Sequence, residues 1–409
     1  MSMTPQPFLP YGRQGIDEAD IAAVVEVLRG DFLTTGPAVE AFEAALAAKL
    51  GVDHAVVCSS GTTALHLALA ALDVVPGDSI IVPSITFLAT ANAARYLGAD
   101  VVFCDVDADS GLMRDEDLQA ALGRVPAGNR AKAVLPVQLR GQCADMAAIS
   151  KIARDHDLAI VEDACHAIGT TTTGTDGTTV ATGACGQSDM AAFSFHPVKT
   201  MTMGEGGAVT TKNAAAANRM KRLRCHAMTH AADSFINADL AFDAQGQPNP
   251  WYYEMQEPGF NYRATDLQCA LGLSQLARLE AFVARRRELV ALYDALLVDL
   301  APLVRPTPKT PGENPGWHLY GVLIDFEEAG ISRGDLMRAL RDAGIGTQVH
   351  YIPVHLQPYY RGLVQTPELP GAMAYYRRCL SLPLFPTMTD GDAERVVETL
   401  TTILKTETS

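Results

Sequence analysis

The chain has 409 residues, of which 48% are hydrophobic and 19% charged, so it is long and apolar enough to build two domains or one large α/β unit. Its formal net charge of −15 argues against a general nucleic-acid or anionic-membrane surface. The sequence holds no run of the ~20 apolar residues that a membrane span requires. An anionic substrate would therefore need a local cluster of Arg, Lys or backbone amides.

The N-terminus and the cysteines indicate the compartment. Residues 1–15 show no basic region followed by an apolar run, so no secretory signal is expected. The eight cysteines are well separated and form no Cys-x-x-Cys pair, which is typical of reduced thiols. We expect a cytoplasmic protein with no metal site and no nucleic-acid or membrane partner.

Short apolar runs, several of them rich in Val and Ile, recur through the first half of the chain. They are too short for helices and suit strands that are covered on both faces. Ala- and Leu-rich segments of helical length lie between several of them, and this alternation predicts an α/β fold with a mostly parallel seven-stranded sheet. The predicted strands are His54–Cys58, Ser79–Pro83, Val101–Asp105, Ala133–Val137, Leu158–Glu162, Met190–Phe195 and Gly207–Thr211.

Helices and a second unit are predicted around this sheet. Ala64–Leu72 is apolar nearly all round and reads as a buried helix, whereas residues 233–258 form a polar, aromatic-tipped excursion around Trp251–Tyr253. Residues 1–270 are expected to form a large cofactor-binding domain with an N-terminal arm, and residues 271–409 a connecting helix and a smaller α/β domain. The elements predicted there are a long helix at Asp266–Arg285, a strand at His318–Ile324, and helices at Arg333–Ala343 and Asp390–Leu404.

A lysine and an upstream acid follow two of the predicted strands. Lys199 lies between the nearly apolar segment Met190–Phe195 and a Gly-Glu-Gly-Gly turn, and Asp163 ends the strand that begins at Leu158. A desolvated lysine loses proton affinity, which an imine-forming amine requires. An aspartate at such a position can keep a pyridine nitrogen protonated. The alternatives are a solvated lysine and an ordinary helix N-cap for Asp163.

A hydroxyl-rich helix start completes the set. Ser59-Ser60-Gly61-Thr62-Thr63 offers hydroxyls and free amides at a positive helix end, where a phosphate can bind. Ser194 can donate to the same phosphate, and Phe87 can stack on a ring, although a strand-end hydroxyl and core packing are the alternatives. Lysine, aspartate and helix start together predict pyridoxal 5′-phosphate as the cofactor.

The same motifs resemble a known family. The chain is similar, nearly end to end, to the DegT/DnrJ/EryC1/StrS nucleotide-sugar aminotransferases, which are fold-type I pyridoxal phosphate enzymes with a large domain and a smaller C-terminal α/β domain. The similar stretches are Asp31–Pro37, Ser60–Leu65, Pro83–Phe87, Glu162–Ala164, the Lys199 segment and Gly259–Arg263. Three stretches resemble the pseudaminic acid branch of the family most: Cys165–Gly169, Phe195–Lys199 and Gly259–Gln268.

The resemblance implies further roles. His166 stands where the family most often has a glutamine near the cofactor's phenolic oxygen, and its charge state is open. Thr63 is expected at the cofactor with Gly61, and Asn261 at the cofactor phosphate of the partner subunit in a homodimer. Candidate contacts to the sugar or diphosphate, most of them equally compatible with an interface or solvent position, are Thr35, Arg224, Arg263, His350 and Tyr351.

The implied reaction moves an amino group from L-glutamate, which becomes 2-oxoglutarate, to a UDP-linked 2-acetamido-4-keto-6-deoxy-hexose. A UDP-4-keto-pentose, a GDP- or TDP-linked 4-keto-6-deoxy-hexose and a keto-cyclitol stay open as acceptors. A sugar 3-dehydrase, which resembles this family but has histidine in place of the lysine, is disfavoured by Lys199. A non-catalytic binding protein is disfavoured because both Lys199 and Asp163 are present.

Overall fold

The computed structural model describes residues 7–173, 177–363 and 368–407, so residues 1–6 of the stretch judged for a secretory signal lie outside it. Its helices are α1 Glu18–Arg29, α2 Pro37–Leu50, α3 Gly61–Ala71, α4 Leu88–Tyr96, α5 Asp115–Leu122, α6 Met146–Asp155, α7 Ala214–Leu223, α8 Ala238–Ala241, α9 Asp266–Ala277, α10 Leu279–Leu296, α11 Arg333–Asp342, α12 Pro358–Arg361, α13 Pro370–Arg378 and α14 Asp390–Glu407.

The strands are β1 His54–Cys58, β2 Asp78–Pro83, β3 Asp100–Cys104, β4 Arg130–Val134, β5 Ala159–Asp163, β6 Thr171–Thr173, β7 Thr179–Ala181, β8 Met190–Ser194, β9 Gly207–Thr211, β10 Met228–Thr229, β11 Glu254–Met255, β12 Val304–Pro306, β13 Glu313–Asn314, β14 Tyr320–Ile324 and β15 Cys379–Leu382. All seven predicted runs of the first half are strands, with ends that shift by up to three residues.

These seven strands form one sheet in the order β1-β9-β8-β5-β4-β2-β3. Every neighbouring pair is parallel except the two that involve β9, so the prediction of a mostly parallel sheet is confirmed. Strands such as β2 and β5 are buried along nearly their whole length because helices cover both faces. The predicted buried helix is α3, which packs against β8 and β9.

The chain order places a crevice at the carboxyl edge of this sheet. From β2 the chain runs outward to β3, then crosses back to β4 on the other side of β2 and continues to β5 and β8. Loops that leave neighbouring strands in opposite directions open a crevice beyond the carboxyl ends, where α/β proteins bind ligands. The segments after β1, β2, β5 and β8 meet there.

A second, smaller unit follows α9. Its antiparallel sheet has the order β12-β14-β15, and its core joins apolar residues between 289 and 404 with Leu9 of the N-terminal arm. The helices predicted at Arg333–Ala343 and Asp390–Leu404 are α11 and α14. The domain boundary at residue 270 stays a prediction.

The prediction of one long helix at Asp266–Arg285 was wrong. The structure has two helices, α9 and α10, which are separated at Arg278. The guanidinium of Arg278 binds the carboxylates of Asp17, at 2.6 Å, and Asp20, beside and within α1. These partners lie more than 250 residues away, so the local apolar pattern carries no sign of them.

Two further observations concern membrane spans and metal ligands. Within the described ranges, no helix combines the length and hydropathy that a bilayer span needs. The same ranges contain no group of three or more His, Cys, Asp or Glu side chains placed to hold a metal ion.

Candidate active site

A pocket of about 480 Å³ lies at the carboxyl edge of the sheet, within the usual ~300–1,000 Å³ of small-molecule sites. Nine of the predicted site residues line it: Gly61, Thr62, Phe87, Asp163, His166, Ser194, Lys199, His350 and Tyr351. They come from five separate segments of the chain, so the fold, and not sequence proximity, brings them together.

The start of α3 lies on one wall of the pocket. A capping box joins Ser60 and Thr63: Thr63 N donates to Ser60 Oγ at 3.2 Å, and Ser60 N donates to Thr63 Oγ1 at 3.0 Å. Ala64 N donates to Ser60 O. Of the first four amides of the helix, those of Gly61 and Thr62 are then left for a ligand, as far as the described residues extend. Thr63 thus orders this site from behind and does not line the pocket.

Two glycines allow this helix start to sit against the sheet. A Cβ on Gly61 would lie 2.7 Å from Cβ of Ser194, and a Cβ on Gly207 would lie 2.2 Å from the carbonyl oxygen of Ser60. Neither distance is tolerated in folded proteins, so any larger residue would push α3 away from β8 and β9. The close approach places the free amides beside the Ser194 hydroxyl.

Asp163 ends β5 at the pocket floor. Its Oδ2 accepts from Thr90 Oγ1 at 2.6 Å and its Oδ1 accepts from Cys165 N at 3.2 Å. An ionised carboxylate has about four acceptor positions, so these two bonds leave capacity for a donor in the pocket. The side chain does not form the N-cap of a helix, which was the alternative interpretation.

Lys199 supplies the amine of the pocket. Burial lowers the pKa of Lys199, and the nearby Cys165 and Asp163 partly offset that effect. A lower pKa leaves more of the amine unprotonated, which is the form that attacks a carbonyl or accepts a proton. A solvated surface lysine, the alternative interpretation, does not fit this environment.

The charge state of His166 follows from its neighbours. Arg140 N donates to His166 Nδ1 at 3.3 Å, so the ring proton lies on Nε2, which then donates to Tyr351 Oη at 3.0 Å. Burial, followed by Lys199, His350 and Arg140, lowers the pKa of His166 well below its usual value. His166 is therefore a neutral donor at physiological pH.

Aromatic side chains and two more histidines complete the walls. Phe87 is 56% exposed and its ring centroid lies 6.0 Å from that of Tyr351. His350 Nδ1 and Ser381 Oγ are 2.9 Å apart, and burial lowers the pKa of His350 to about 3. His318 is also buried, with its ring centroid 4.5 Å from that of His166.

Besides Thr63, four predicted site residues do not line this pocket. Arg224 donates to Val57 O at 2.6 Å and forms an ion pair with the buried carboxylate of Glu43, which speaks against a direct contact to substrate. Arg263 donates to Cys225 Sγ at 3.0 Å. Thr35 and Asn261 are exposed, outside the lining.

Sequence reasoning missed other lining residues. Tyr11 of the N-terminal arm, Thr86 and His318 face the pocket. Thr86 belongs to the Pro83–Phe87 motif and His318 begins a predicted strand, so both positions carried a signal that was not read as functional. Nothing in the local sequence marks Tyr11.

The features of the pocket fit pyridoxal phosphate. They are two free helix amides beside a hydroxyl, a carboxylate with spare acceptor capacity, an amine of lowered pKa and a ring at the mouth. This combination defines the class: a fold-type I enzyme dependent on pyridoxal phosphate.

The comparisons with known proteins agree. The DegT/DnrJ/EryC1/StrS aminotransferase family model matches residues 14–401, and the chain belongs to this family of pyridoxal phosphate-dependent sugar aminotransferases. It is 39% identical to the spore coat polysaccharide biosynthesis protein SpsC of Bacillus subtilis (strain 168), over 97% of each chain.

Two solved structures are similar over 98% of this chain. Helicobacter pylori PseC, an aminotransferase involved in the biosynthesis of pseudoaminic acid, has 28% identity and a TM-score of 0.86, with 100% of its chain covered. The pyridoxal phosphate form of the sugar aminotransferase Spr1654 from Streptococcus pneumoniae has 28% identity and a TM-score of 0.84, with 99% covered. These likenesses confirm the fold class and the cofactor that the sequence predicted.

Proposed function

We propose that this enzyme transfers the amino group of L-glutamate to carbon four of a UDP-linked 2-acetamido-4-keto-6-deoxy-hexose. The observation that carries the transfer chemistry is the convergence of Lys199, Asp163 and the free amides of α3 on one pocket. The identity of the sugar rests on likeness: PseC acts in pseudoaminic acid biosynthesis, and SpsC in making a spore coat polysaccharide.

Each residue has a defined task in this proposal. When bound, pyridoxal phosphate supplies a ring that draws electrons from the carbon bearing the nitrogen. The amides of Gly61 and Thr62 and the hydroxyl of Ser194 hold its phosphate, and Asp163 keeps the ring nitrogen protonated. Phe87 stacks against the ring.

Lys199 moves the protons. Its Nζ removes the proton from the α-carbon of glutamate in the first half-reaction and delivers one to carbon four of the sugar in the second. The lowered pKa suits this amine to both directions, because a weaker base returns the proton that it has accepted more readily. His166, held neutral, donates Nε2–H to Tyr351 or to the cofactor's phenolic oxygen.

A second copy of the chain is proposed to complete the site. Lys199 is the only lysine or arginine among the lining residues recorded for this pocket, yet the cofactor phosphate, the diphosphate and the two carboxylates of glutamate are all anionic. The excursion at residues 233–258 is apolar and exposed at its tip, with Ile236 78% and Trp251 74% exposed, as at protein–protein contacts. We place Asn261, which is exposed, at the partner's cofactor phosphate.

The substrate is tested with a panel of amino sugars run in reverse with 2-oxoglutarate. Turnover of UDP-linked 4-amino-4,6-dideoxy-hexosamines is expected. Turnover confined to TDP- or GDP-sugars, or to a UDP-4-amino-pentose, would change the substrate that we assign. The transaminase reaction would still stand. Activity only on a nucleotide-free cyclitol would remove the nucleotide-sugar assignment.

The shared site is tested by mixing two inactive variants, Lys199→Ala and Asn261→Ala. If sites are composite, each mixed dimer should regain one competent site, and activity should return toward a quarter of the wild-type value for random mixing. Subunit exchange is verified first. If activity then fails to return, the placement of Asn261 is contradicted. We also propose a cytoplasmic location, to be checked by cell fractionation.

A further inference from the structure

Two buried hydroxyls lie beside Asp163 and have no task in the chemistry above. Thr86 is 1% exposed and Thr90 is fully buried. Thr86 Oγ1 and Thr90 Oγ1 are 2.6 Å apart, and Thr90 Oγ1 is 2.6 Å from Asp163 Oδ2. The three groups form a continuous hydrogen-bonded line from the end of β2, through the first turn of α4, to the end of β5.

The carboxylate of Asp163 sets the direction in which hydrogen bonds are donated along this line. An ionised carboxylate only accepts hydrogen bonds, so Thr90 Oγ1 must donate to Asp163 Oδ2. The oxygen of Thr90 is then free to accept, and Thr86 Oγ1 donates to it. Both O–H dipoles point toward the carboxylate, and each bond polarises the next.

The arrangement is not the usual one for a threonine in a helix. Such a hydroxyl commonly bonds a carbonyl one turn back on its own helix. Thr90 instead reaches a residue 73 positions away in the sequence. The same turn of α4 begins at Phe87, which lines the pocket, so one short segment orients both the stacking ring and the carboxylate.

We propose that Thr90, oriented by Thr86, is a positioning residue that holds the carboxylate of Asp163 aimed at the ring nitrogen of the cofactor. The inference rests on the proposed role of Asp163. Within the part of the chain that the structure describes, the second carboxylate oxygen accepts the 3.2 Å bond from Cys165 N and no other. Without Thr90, Asp163 would lose the 2.6 Å charge-assisted bond to Oδ2 and with it the group that fixes the orientation of its carboxylate.

The test uses the apo-protein and its dissociation constant for pyridoxal phosphate, measured by absorbance titration. Thr90→Val removes the hydroxyl at nearly constant volume and should weaken binding by about 10- to 100-fold, as expected for a lost bond to a charged group. Thr90→Ser restores the donor and should return the constant to within about threefold of wild type. Thr86→Val should have a smaller effect, of a few fold, because it removes only the outer bond.

Thr210→Val is the matched control. Thr210 is fully buried and donates to Gly183 O at 2.8 Å, but it does not line the pocket. The Thr210→Val variant should lower the melting temperature of the apo-protein about as much as Thr90→Val does. Its affinity for pyridoxal phosphate should be unchanged. If Thr90→Val does not fold, Thr90→Ala removes the same hydroxyl.

A double-mutant cycle with Asp163→Asn separates the inference from the function it rests on. Asp163→Asn alone should weaken binding, and Thr90→Val should add nothing to it. The inference would be overturned if Thr90→Val bound pyridoxal phosphate as tightly as wild type, or if the losses of affinity in Thr90→Val and Asp163→Asn added in the double variant. The role of Asp163 would stand in both cases. Full affinity of Asp163→Asn would overturn that role, and the inference with it.

Discussion

A cavity opens at each edge of the seven-stranded sheet, one of about 480 Å³ beyond the carboxyl ends of the parallel strands and one of about 700 Å³ beyond their amino ends. The second is larger and also has charged residues in its lining. In it, Asp189 accepts from Ile160 N at 2.8 Å, Ser188 donates to Glu162 at 2.6 Å, and Arg219 pairs with Asp73 and with Glu257, the latter at 3.0 Å.

These four side chains of the amino edge, Asp189, Ser188, Arg219 and Asp73, are thus engaged in structural bonds. At the carboxyl edge, helix amides, a hydroxyl and an amine of lowered pKa face the pocket with capacity to spare. Groups kept available in a partly buried site indicate function, whereas volume alone does not. The following predictions test this contrast, from the largest expected effect to the smallest.

Lys199→Ala should abolish turnover, by roughly 10⁴-fold or more, because the proton-transferring amine is lost. The fold should persist, since removing a partly desolvated amine does not disrupt packing. Borohydride reduction of the wild-type holoenzyme, followed by digestion and mass spectrometry, should place the cofactor mass on the Lys199 peptide.

Lys212→Ala is the control at the other edge, since Lys212 lines the larger cavity. It should keep near-normal activity. Cofactor mass on any lysine other than Lys199 would contradict the contrast between the edges. An equal loss of activity in Lys199→Ala and Lys212→Ala would contradict it as well.

Gly61→Ala should weaken cofactor binding by about tenfold or more, because the new methyl group would lie 2.7 Å from Cβ of Ser194 and displace the free amides of α3. Equilibrium titration of the apo-protein measures the effect. Gly186→Ala is the matched control, since its new Cβ would meet nothing within 4 Å and its neighbour Cys185 lines the other cavity. Equal affinities for the two variants would show that the close approach is unimportant.

The buried histidines of the pocket should make the apo-protein lose stability in mild acid. Burial, with Lys199 and Arg140, lowers the pKa of His350 to about 3, and burial also lowers the pKa values of His166 and His318 well below the ordinary 6.5. Below pH ~6.5 the unfolded chain binds protons that the folded chain does not. The free energy of unfolding therefore falls as pH falls from ~6.5 toward 3, by up to ~1.4 kcal/mol per pH unit for each such histidine.

Urea denaturation at pH 7.5, 6.5 and 5.5 measures this slope. His350→Asn should make it shallower, whereas the exposed His156→Asn should leave it unchanged. The same slope in all three proteins would show that protons reach His350 in the folded state. Burial also lowers the pKa values of His66 and His355, which line neither cavity, so only the change in slope caused by His350→Asn reports on the carboxyl edge.

Arg219→Ala should have the smallest effect. It breaks ion pairs to Asp73 and Glu257, both of which have solvent access, and such pairs contribute about 0–1 kcal/mol. We expect kcat/KM within about twofold of wild type and a slightly lower melting temperature. A loss of activity comparable to that of Gly61→Ala would mean that the larger cavity takes part in function.

The sequence by itself determined the strands, the order of the motifs and the cofactor. Apolar runs of five or six residues predict buried strands because both faces of each strand are covered. Asp163, Lys199 and the start of α3 were found because each lies where a strand ends or a helix begins, and such positions are marked by Gly, Ser, Thr and Asp.

Only the tertiary structure decided what each side chain meets. Arg224 was chosen by charge, but the folded chain commits its guanidinium to Glu43. The apolar pattern continues through Arg278, where contacts to α1 accompany the end of one helix and the start of the next. The bond from Thr90 to Asp163 joins the first turn of α4 to the end of β5, two places that are 73 residues apart in the sequence. Local patterns report burial and turns, whereas partners far apart in the chain are set by packing.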